Sequence, residues 1–543
     1  MRRPILWAAA AAFSLNFAAA AQTPAGDFSP EAFRAHVTFL GDDLLEGREA
    51  GSRGYDLAAR YVASQFAALG LQPAGASGGW FQPVQFVRFP VDPQASLTVG
   101  GTRLVQGQQI VFRPSLTAAP LAVEAPLIFA GYGLDMPGRG YDDYAGLDVR
   151  GRIVVVLAGT PSGTPSDIAA HLNYNKRRMA AARGAVGLIV VRTRADAART
   201  PWRRITEGGR PTTTWIGADG TPFNDGDSLG FSATIDPDTA EALFAGAQQQ
   251  LSSVLDDAAR EGGRPRGFAL RQTARVERAA VREQRFTSAN VLGMIPGSDP
   301  ALADQPMLLM AHLDGLGIRA PRDGDAANAD QIRNGAMDNA TGVATLIEVA
   351  RQFMRDRQRP RRPILLAAVT AEEMGLVGAE YLAHNPVGGR VAAVVNLDMP
   401  VLTYPFSDVI AFGAEHSTLG PIVRRAAARM NVGLAVDPLP QEGLFTRSDH
   451  YKFVREGVPS VFLMTGFAGE GRERFTRFLA DTYHSPRDDL NLPFDWQAGA
   501  RFAQLNYLIA RELADSREVP RWYADSFFGD AVAAGQPRAQ RAR

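Results

Sequence analysis

The chain has 543 residues, and its 57 Lys+Arg balance its 57 Asp+Glu, so no net charge draws it to nucleic acid or an anionic membrane. Hydrophobic residues at 46% and charged residues at 21% describe a globular protein, and the length predicts two or more domains. With no cysteine, disulfides, thiolate nucleophiles and Cys-ligated zinc are excluded, and any metal must sit on His, Asp and Glu.

The chain starts with a basic pair, Arg2-Arg3, and a short alanine-rich apolar run, Ile5 to Ala20. Ala19-Ala20-Ala21 before Gln22 fits a small-residue cleavage site, which predicts a signal peptide over residues 1–21 and export to the periplasm or the medium. The run is short of the roughly 20 residues a membrane span needs, and no later stretch is long and apolar enough. Residues 31–71 read as helical; Leu57, Ala58, Tyr61, Val62, Phe66 and Leu69 recur at helical spacing before Gly70. Short strands with Gly and Pro turns are predicted from Phe81 to Leu116. Pro126 to Ala130, Ile153 to Leu157 and Gly187 to Val191 read as buried strands, with a helix from about Lys176 to Arg183. Residues 195–230 read as loop and 237–260 as helical. From Ala289 onward strand, loop and helix alternate, which predicts a mostly parallel central sheet flanked by helices.

Four features of that second half share one geometry. Met307 to Ala311 is an apolar run ending at His312, followed by Leu313-Asp314. Ile364 to Val369 leads through Thr370-Ala371 into Glu372-Glu373, and Val391 to Leu397 ends at Asp398. Between the first two, Asp338 opens a helix whose apolar face is Val343, Leu346, Ile347, Ala350 and Phe353. Ligands of open parallel sheets bind outside the carboxyl ends of the strands, so these polar residues converge on one crevice. Gathering carboxylates is costly unless a cation binds them, and a sulfur-free set of His and carboxylates suits zinc, with cobalt or manganese as substitutes. Each residue alone has a plain structural reading: Asp338 as a helix cap, Glu372-Glu373 as a solvated pair, His312 as a core histidine. Their coincidence at strand ends favours a metal site. No Gly-x-Ser-x-Gly elbow or phosphate loop is present.

Five segments together resemble a known family: Ala311-His312-Leu313-Asp314, Gly335 to Gly342, Ala371-Glu372-Glu373-Met374-Gly375, Asn396-Leu397-Asp398-Met399 and Tyr483-His484-Ser485. They are similar to the di-zinc aminopeptidases related to glutamate carboxypeptidase and the transferrin receptor. Leu45-Glu46-Gly47-Arg48 and Leu69 to Pro73 extend the likeness. Phe129 to Gly133, Asp142-Asp143-Tyr144 and Gly184 to Gly187 resemble an inserted protease-associated domain. The resemblance implies an α/β zinc-exopeptidase fold with a mixed α/β insert, and two zinc ions per chain. Asp338 would bridge the metals, His312 and Asp398 would complete one site, and Glu373 and His484 the other. Glu372 would be the general base, and Asp314 would orient His312 and fix its tautomer. Met337 stands where the family usually has an acid, which predicts tuning rather than loss of the site. His36, His171, His384 and His416 show no partner pattern and read as structural or surface residues. Ser448-Asp449-His450 resembles a family segment near the substrate pocket.

The expected organisation is a signal peptide at 1–21, an N-terminal part of the peptidase domain at 22–91, the insert at 92–283, the main peptidase domain at 284–534 and a disordered tail at 535–543. The expected function is hydrolysis of peptides from their N-termini. The alternatives are a carboxypeptidase of the glutamate carboxypeptidase type, a non-catalytic receptor-like ectodomain, and a glutaminyl cyclase. Peptides are the expected partners. The oligomeric state, the preferred terminal residue and the physiological substrate are not legible.

Overall fold

The computed structural model describes residues 27–207, 210–322 and 324–542. The expected signal peptide lies outside them. No helix among the described residues is long and apolar enough to cross a membrane.

Two large sheets organise the chain. The first has ten strands, with Met307–His312 near its centre between Ile364–Val369 and Ala393–Leu397. These three and Ser460–Thr465 run parallel. Outside that block the pairing turns antiparallel: Gln284–Ile295 and Phe81–Phe89 on one side, Asp408–Phe412 on the other. The expected helix-flanked α/β sheet is thus present, parallel at its centre and mixed toward its edges.

The central strands read as unbroken apolar runs because both faces are covered. Met307, Leu309 and Ala311 pack in one cluster with Phe33, Tyr55, Phe66, Val343, Leu346 and Phe502. Leu308 and Met310 point to the other face, against Ala379, Leu382 and Phe453. Alternation along a strand therefore feeds two separate cores. The helix Thr341–Arg355 packs on the first face between Pro30–Leu40 and Trp496–Asp515. The expected helical stretch at 31–71 is two helices, Pro30–Leu40 and Arg53–Leu69, and Gly70 ends the second at φ 84°. Only a residue without Cβ adopts that left-handed cap freely.

The second sheet has eight strands drawn from Ser96–Val99 to Phe268–Arg278. Its centre is parallel, Leu121–Phe129 beside Ile153–Leu157 beside Gly187–Val191 beside Phe231–Ile235. The helix expected near Lys176 to Arg183 spans Ser166–Ala182; its N-terminal turns carry the polar Asp167 and His171, which pair with His416 and Tyr451 and break the apolar period. Residues 195–230, expected as loop, hold the helices Arg194–Arg199 and Trp202–Glu207 and the strand Thr212–Trp215. That strand lies between strands of the second sheet in sequence but pairs with Phe81–Phe89 at the edge of the first. The tail expected to be disordered is docked instead. The Ala539 N–H donates to the Trp522 carbonyl at 2.9 Å, the Ala524 N–H donates to the Ala539 carbonyl at 2.8 Å, and Arg541 pairs with Asp525 at 2.7 Å. Its polar composition reflects backbone and ionic docking rather than the absence of a partner.

Arg48 ties the N-terminal segment to the sheet. Its guanidinium is 1% exposed and donates to the carbonyls of Leu313 at 2.9 Å, Asn334 at 2.5 Å, Gly335 at 3.0 Å and Leu40. Arg48→Met keeps bulk but leaves four buried carbonyls without a donor. It is expected to cost about 3 kcal/mol or more, read by chemical denaturation; an unchanged midpoint would refute this anchoring role.

Candidate metal centre

The site forms where the parallel strands end. His312 is the last residue of Met307–His312, and Asp398 directly follows Ala393–Leu397. Glu372 and Glu373 follow Ile364–Val369 after Ala371, whose φ of 56° turns the chain back over the strand. Asp338 lies in the turn Ala336–Ala340 ahead of the helix Thr341–Arg355, three residues before its start rather than at its cap. His484 arrives from a loop far along the chain, with φ 59°.

The structure brings all five expected ligands together. His312 Nε2 lies 3.2 Å from Asp338 Oδ1 and 3.3 Å from Asp398 Oδ1. His484 Nε2 lies 3.3 Å from Asp338 Oδ2 and 3.3 Å from Glu373 Oε2. Asp338 thus offers one oxygen to each group, and the five residues form two triads sharing a carboxylate.

These donors fit a pair of divalent ions. Tetrahedral zinc with bonds of 2.0–2.1 Å holds its ligand atoms roughly 3.3 Å apart. His312 Nδ1 is 3.1 Å from the Asp314 carbonyl and donates to it, which leaves Nε2 facing two carboxylates at once. One N–H cannot aim at both, whereas a cation between them bonds to all three. The electrostatics agree. Burial opposes a charged His312, yet Glu372 and Asp398 raise it well above its ordinary value. Burial pushes Glu373 well up, and Asp338 adds to the rise. Asp338 is held low despite burial, by hydrogen bonds with His312 and His484. Positive charge is favourable among these buried carboxylates, which suits a metal cation.

The groups behind the ligands are mostly clamps on the backbone. Asp314 meets His312 through its carbonyl oxygen, while its carboxylate stands 4.0 Å from Nδ1. That carboxylate accepts the N–H groups of Glu372 at 3.0 Å and Glu373 at 3.2 Å, so it sets the acidic pair. Burial raises it to about 6. Asp488 does the same for the loop that carries Asp338, accepting from Met337 N–H at 2.7 Å and Asp338 N–H at 3.0 Å. Asn339 accepts from Gly342 and Met399 and donates to Leu397, locking the loop against the end of the third strand. Ser448 donates to Asp398 Oδ2 at 2.5 Å and accepts from Asn396 at 2.5 Å. Asp449 and His450 are buried beside it, and their side-chain polar atoms have no hydrogen-bond partner among the described residues. The Met337 side chain is fully buried in the core, where its sulfur accepts from the Leu402 N–H at 3.2 Å.

Sequence reasoning missed Asp488, Asn339, Arg447 and Tyr483 as site residues. The Tyr483 ring stacks on His484 at 3.6 Å, and its hydroxyl accepts from Arg447 at 3.2 Å. Adjacency to His484 was a usable signal for Tyr483; Asp488 lies 150 residues from the N–H it accepts and carries none. Glu372 lines two cavities, of ≈ 800 and ≈ 480 Å³, and Tyr483 borders both. The larger lies between the donors and residues of the second sheet's region, including Arg113, Tyr174, Arg177 and Arg210. None of the five donors comes from that region. Among the remaining histidines, His36 bonds Tyr61, His171 bonds Tyr451, His384 faces Glu456 and His416 faces Asp167.

Residues 290–510 match peptidase family M28. The chain is 25% identical over 227 residues to leupeptin-inactivating enzyme 1 of Streptomyces exfoliatus, a match covering 38% of this chain and 45% of that protein. It is 27% identical over 191 residues to leucine aminopeptidase 1 of Trichophyton rubrum, covering 33% and 48%. The chain therefore spans less than half the length of these curated relatives. The solved aminopeptidase from Aneurinibacillus sp. strain AM-1 shares the fold, with a TM-score of 0.51 and 20% identity over 91% of this chain and 95% of that one.

Asp488→Asn places an amide against two N–H groups that need acceptors. It is expected to weaken metal retention about 10–100-fold, measured by metal analysis after dialysis; full retention would show that the loop carrying Asp338 holds without Asp488.

Proposed function

We propose, from the peptidase family M28 domain at residues 290–510, that this chain is a two-metal exopeptidase that hydrolyses peptides from their N-termini. The observation that carries this reading is the pair of donor triads sharing Asp338, with Glu372 unligated beside them at the floor of a cleft. His312, Asp338 and Asp398 would hold one ion, and Asp338, Glu373 and His484 the other. Bound divalent ions supply Lewis acidity toward a scissile carbonyl and acidify water.

The chain's own residues supply the rest. Glu372 takes the proton of the attacking water and delivers it to the leaving amine. Burial raises Glu372 well above its ordinary value, and bound cations would bring it back toward the ionised form that a base needs. Asp314 fixes Glu372 through its backbone N–H, so the base stays in reach while its carboxylate is free. Burial keeps Tyr483 protonated, and Arg447 occupies its lone pair, which leaves the hydroxyl proton for a substrate oxygen. The carboxylate-rich donors suit a substrate ammonium group. The leader sequence through Ala21 supports export as part of the same reading.

A second reading is favoured by one observation. Arg88, Arg210 and Arg333 border the larger cavity together with Glu373, and such guanidinium groups suit a substrate carboxylate. Carboxypeptidase action is the alternative it supports. An N-acetylated and a C-amidated peptide separate the two. Release from the free N-terminus of the amidated peptide is expected, and cleavage of only the acetylated one from its C-terminus would overturn the choice.

The paired glutamates give a sharper test of mechanism. Glu372→Gln is expected to lower kcat about 10²–10⁴-fold while metal content holds, whereas Glu373→Gln is expected to lose metal. Activity assay with metal analysis checks both, and the reverse pattern would exchange the roles.

A further inference from the structure

We infer that Asp167, Glu415 and His416 form a further cation site, remote from the cleft, that takes a zinc-like divalent ion and joins the second sheet's region to the peptidase domain. Asp167 lies in the first turn of the helix Ser166–Ala182. Glu415 and His416 lie in the turn Ala414–His416, just after the strand Asp408–Phe412. Each offers one donor atom, and the three lie within 4.8 Å of one another. None of the three borders either cavity at the metal centre.

The shorter of the two distances at His416 matches those of the first centre, and the other is longer. His416 Nε2 is 3.3 Å from Asp167 Oδ2 and 3.6 Å from Glu415 Oε1. The four corresponding separations around Asp338 are 3.2 to 3.3 Å. Both sets bracket the roughly 3.3 Å edge of a zinc tetrahedron. As at His312, one imidazole nitrogen faces two carboxylates contributed by different segments. A single N–H satisfies one of them, and a cation satisfies both.

The surroundings are those of a built site. Asp167 and His416 are 7% and 6% exposed. Phe528 and Phe445 flank the imidazole, at ring separations of 4.7 and 6.4 Å. The Gly413 N–H donates to Asp167 Oδ2 at 3.3 Å and orients it, as hydrogen bonds orient carboxylate ligands generally. The Glu415 side chain has no other hydrogen bond or ion pair among the described residues; the nearby Arg541 donates to the Glu415 carbonyl and pairs with Asp525. Asp437 lies close by, raised by burial and, beyond that, by Asp167 and Glu442. Three protein donors leave a position for water. The same helix presents Tyr174 and Arg177 to the large cavity, so an ion at Asp167 braces one wall of the cleft.

The test compares metal content in the full-length protein, His416→Gln and Glu415→Gln, each loaded with zinc and dialysed alike. The difference between proteins is read, so the result does not depend on how full the first centre is or on any peptidase activity. The unaltered chain is expected to retain one equivalent more than His416→Gln. The Glu415 side chain is 71% exposed, so Glu415→Gln leaves the fold intact and is expected to bind that equivalent about tenfold or more weakly. Equal metal content and equal zinc affinity in the unaltered chain and Glu415→Gln would overturn the site, whether or not His416→Gln folds, and would leave an ordinary ion pair between the two regions.

Discussion

The structure turns on one carboxylate. Asp338 lies 3.2 Å from the imidazole nitrogen of His312 with one oxygen and 3.3 Å from that of His484 with the other. Holding a buried anion between two further carboxylates, Asp398 and Glu373, is unfavourable without a cation. The neighbouring residues answer that constraint by fixing backbone rather than by adding ligands. Asp488 holds the N–H groups of Met337 and Asp338, Asp314 holds those of Glu372 and Glu373, and Arg48 gathers the carbonyls of Leu313, Asn334 and Gly335. Each clamp pairs a full charge with the partial charges of peptide groups, which is how a buried ion is made tolerable in a packed interior.

The sheet explains why the donors meet. Four parallel strands end at the same edge, so His312, the loop after Val369 and Asp398 arrive side by side. The antiparallel strands flanking them carry no ligand; Phe81–Phe89 instead extends the sheet to Thr212–Trp215, which returns from the second region. That strand brings Arg210 and Thr212 to the cavity wall. The second region therefore lines the space above the donors and contributes none of them.

The contact between those parts is polar as well as apolar. His171 bonds Tyr451, Asn175 bonds the same hydroxyl, and Arg455 pairs with Asp225. Asp167 and His416 extend this seam. Polar contacts specify one relative placement, because an unpaired buried group costs more than a displaced apolar one. A cleft whose wall comes from one region and whose floor comes from the other needs that definition.

How much of this was legible depends on the range of the interaction concerned. His312, Glu372, Glu373 and Asp398 were readable because each ends an apolar run whose burial is written in its own residues, and strand ends in such a sheet converge. Gly70 was readable as a helix stop for the same local reason. The role of Asp314 was half readable: its neighbourhood was clear, but which of its oxygens meets His312 is a matter of backbone direction. Arg48 acts on carbonyls 265 to 287 residues away, Asp488 on an N–H 150 residues away, and His416 on a carboxylate 249 residues away. The strand Thr212–Trp215 joins a sheet whose other strands lie outside its own region, and the segment after Gly535 docks on backbone groups that composition cannot reveal. The sequence alone determined which polar side chains stand at the ends of the buried strands, since hydrophobic period and strand ends are local properties. Only the tertiary structure decided what holds those side chains in place, because a clamp is defined by two distant segments and leaves no pattern in either.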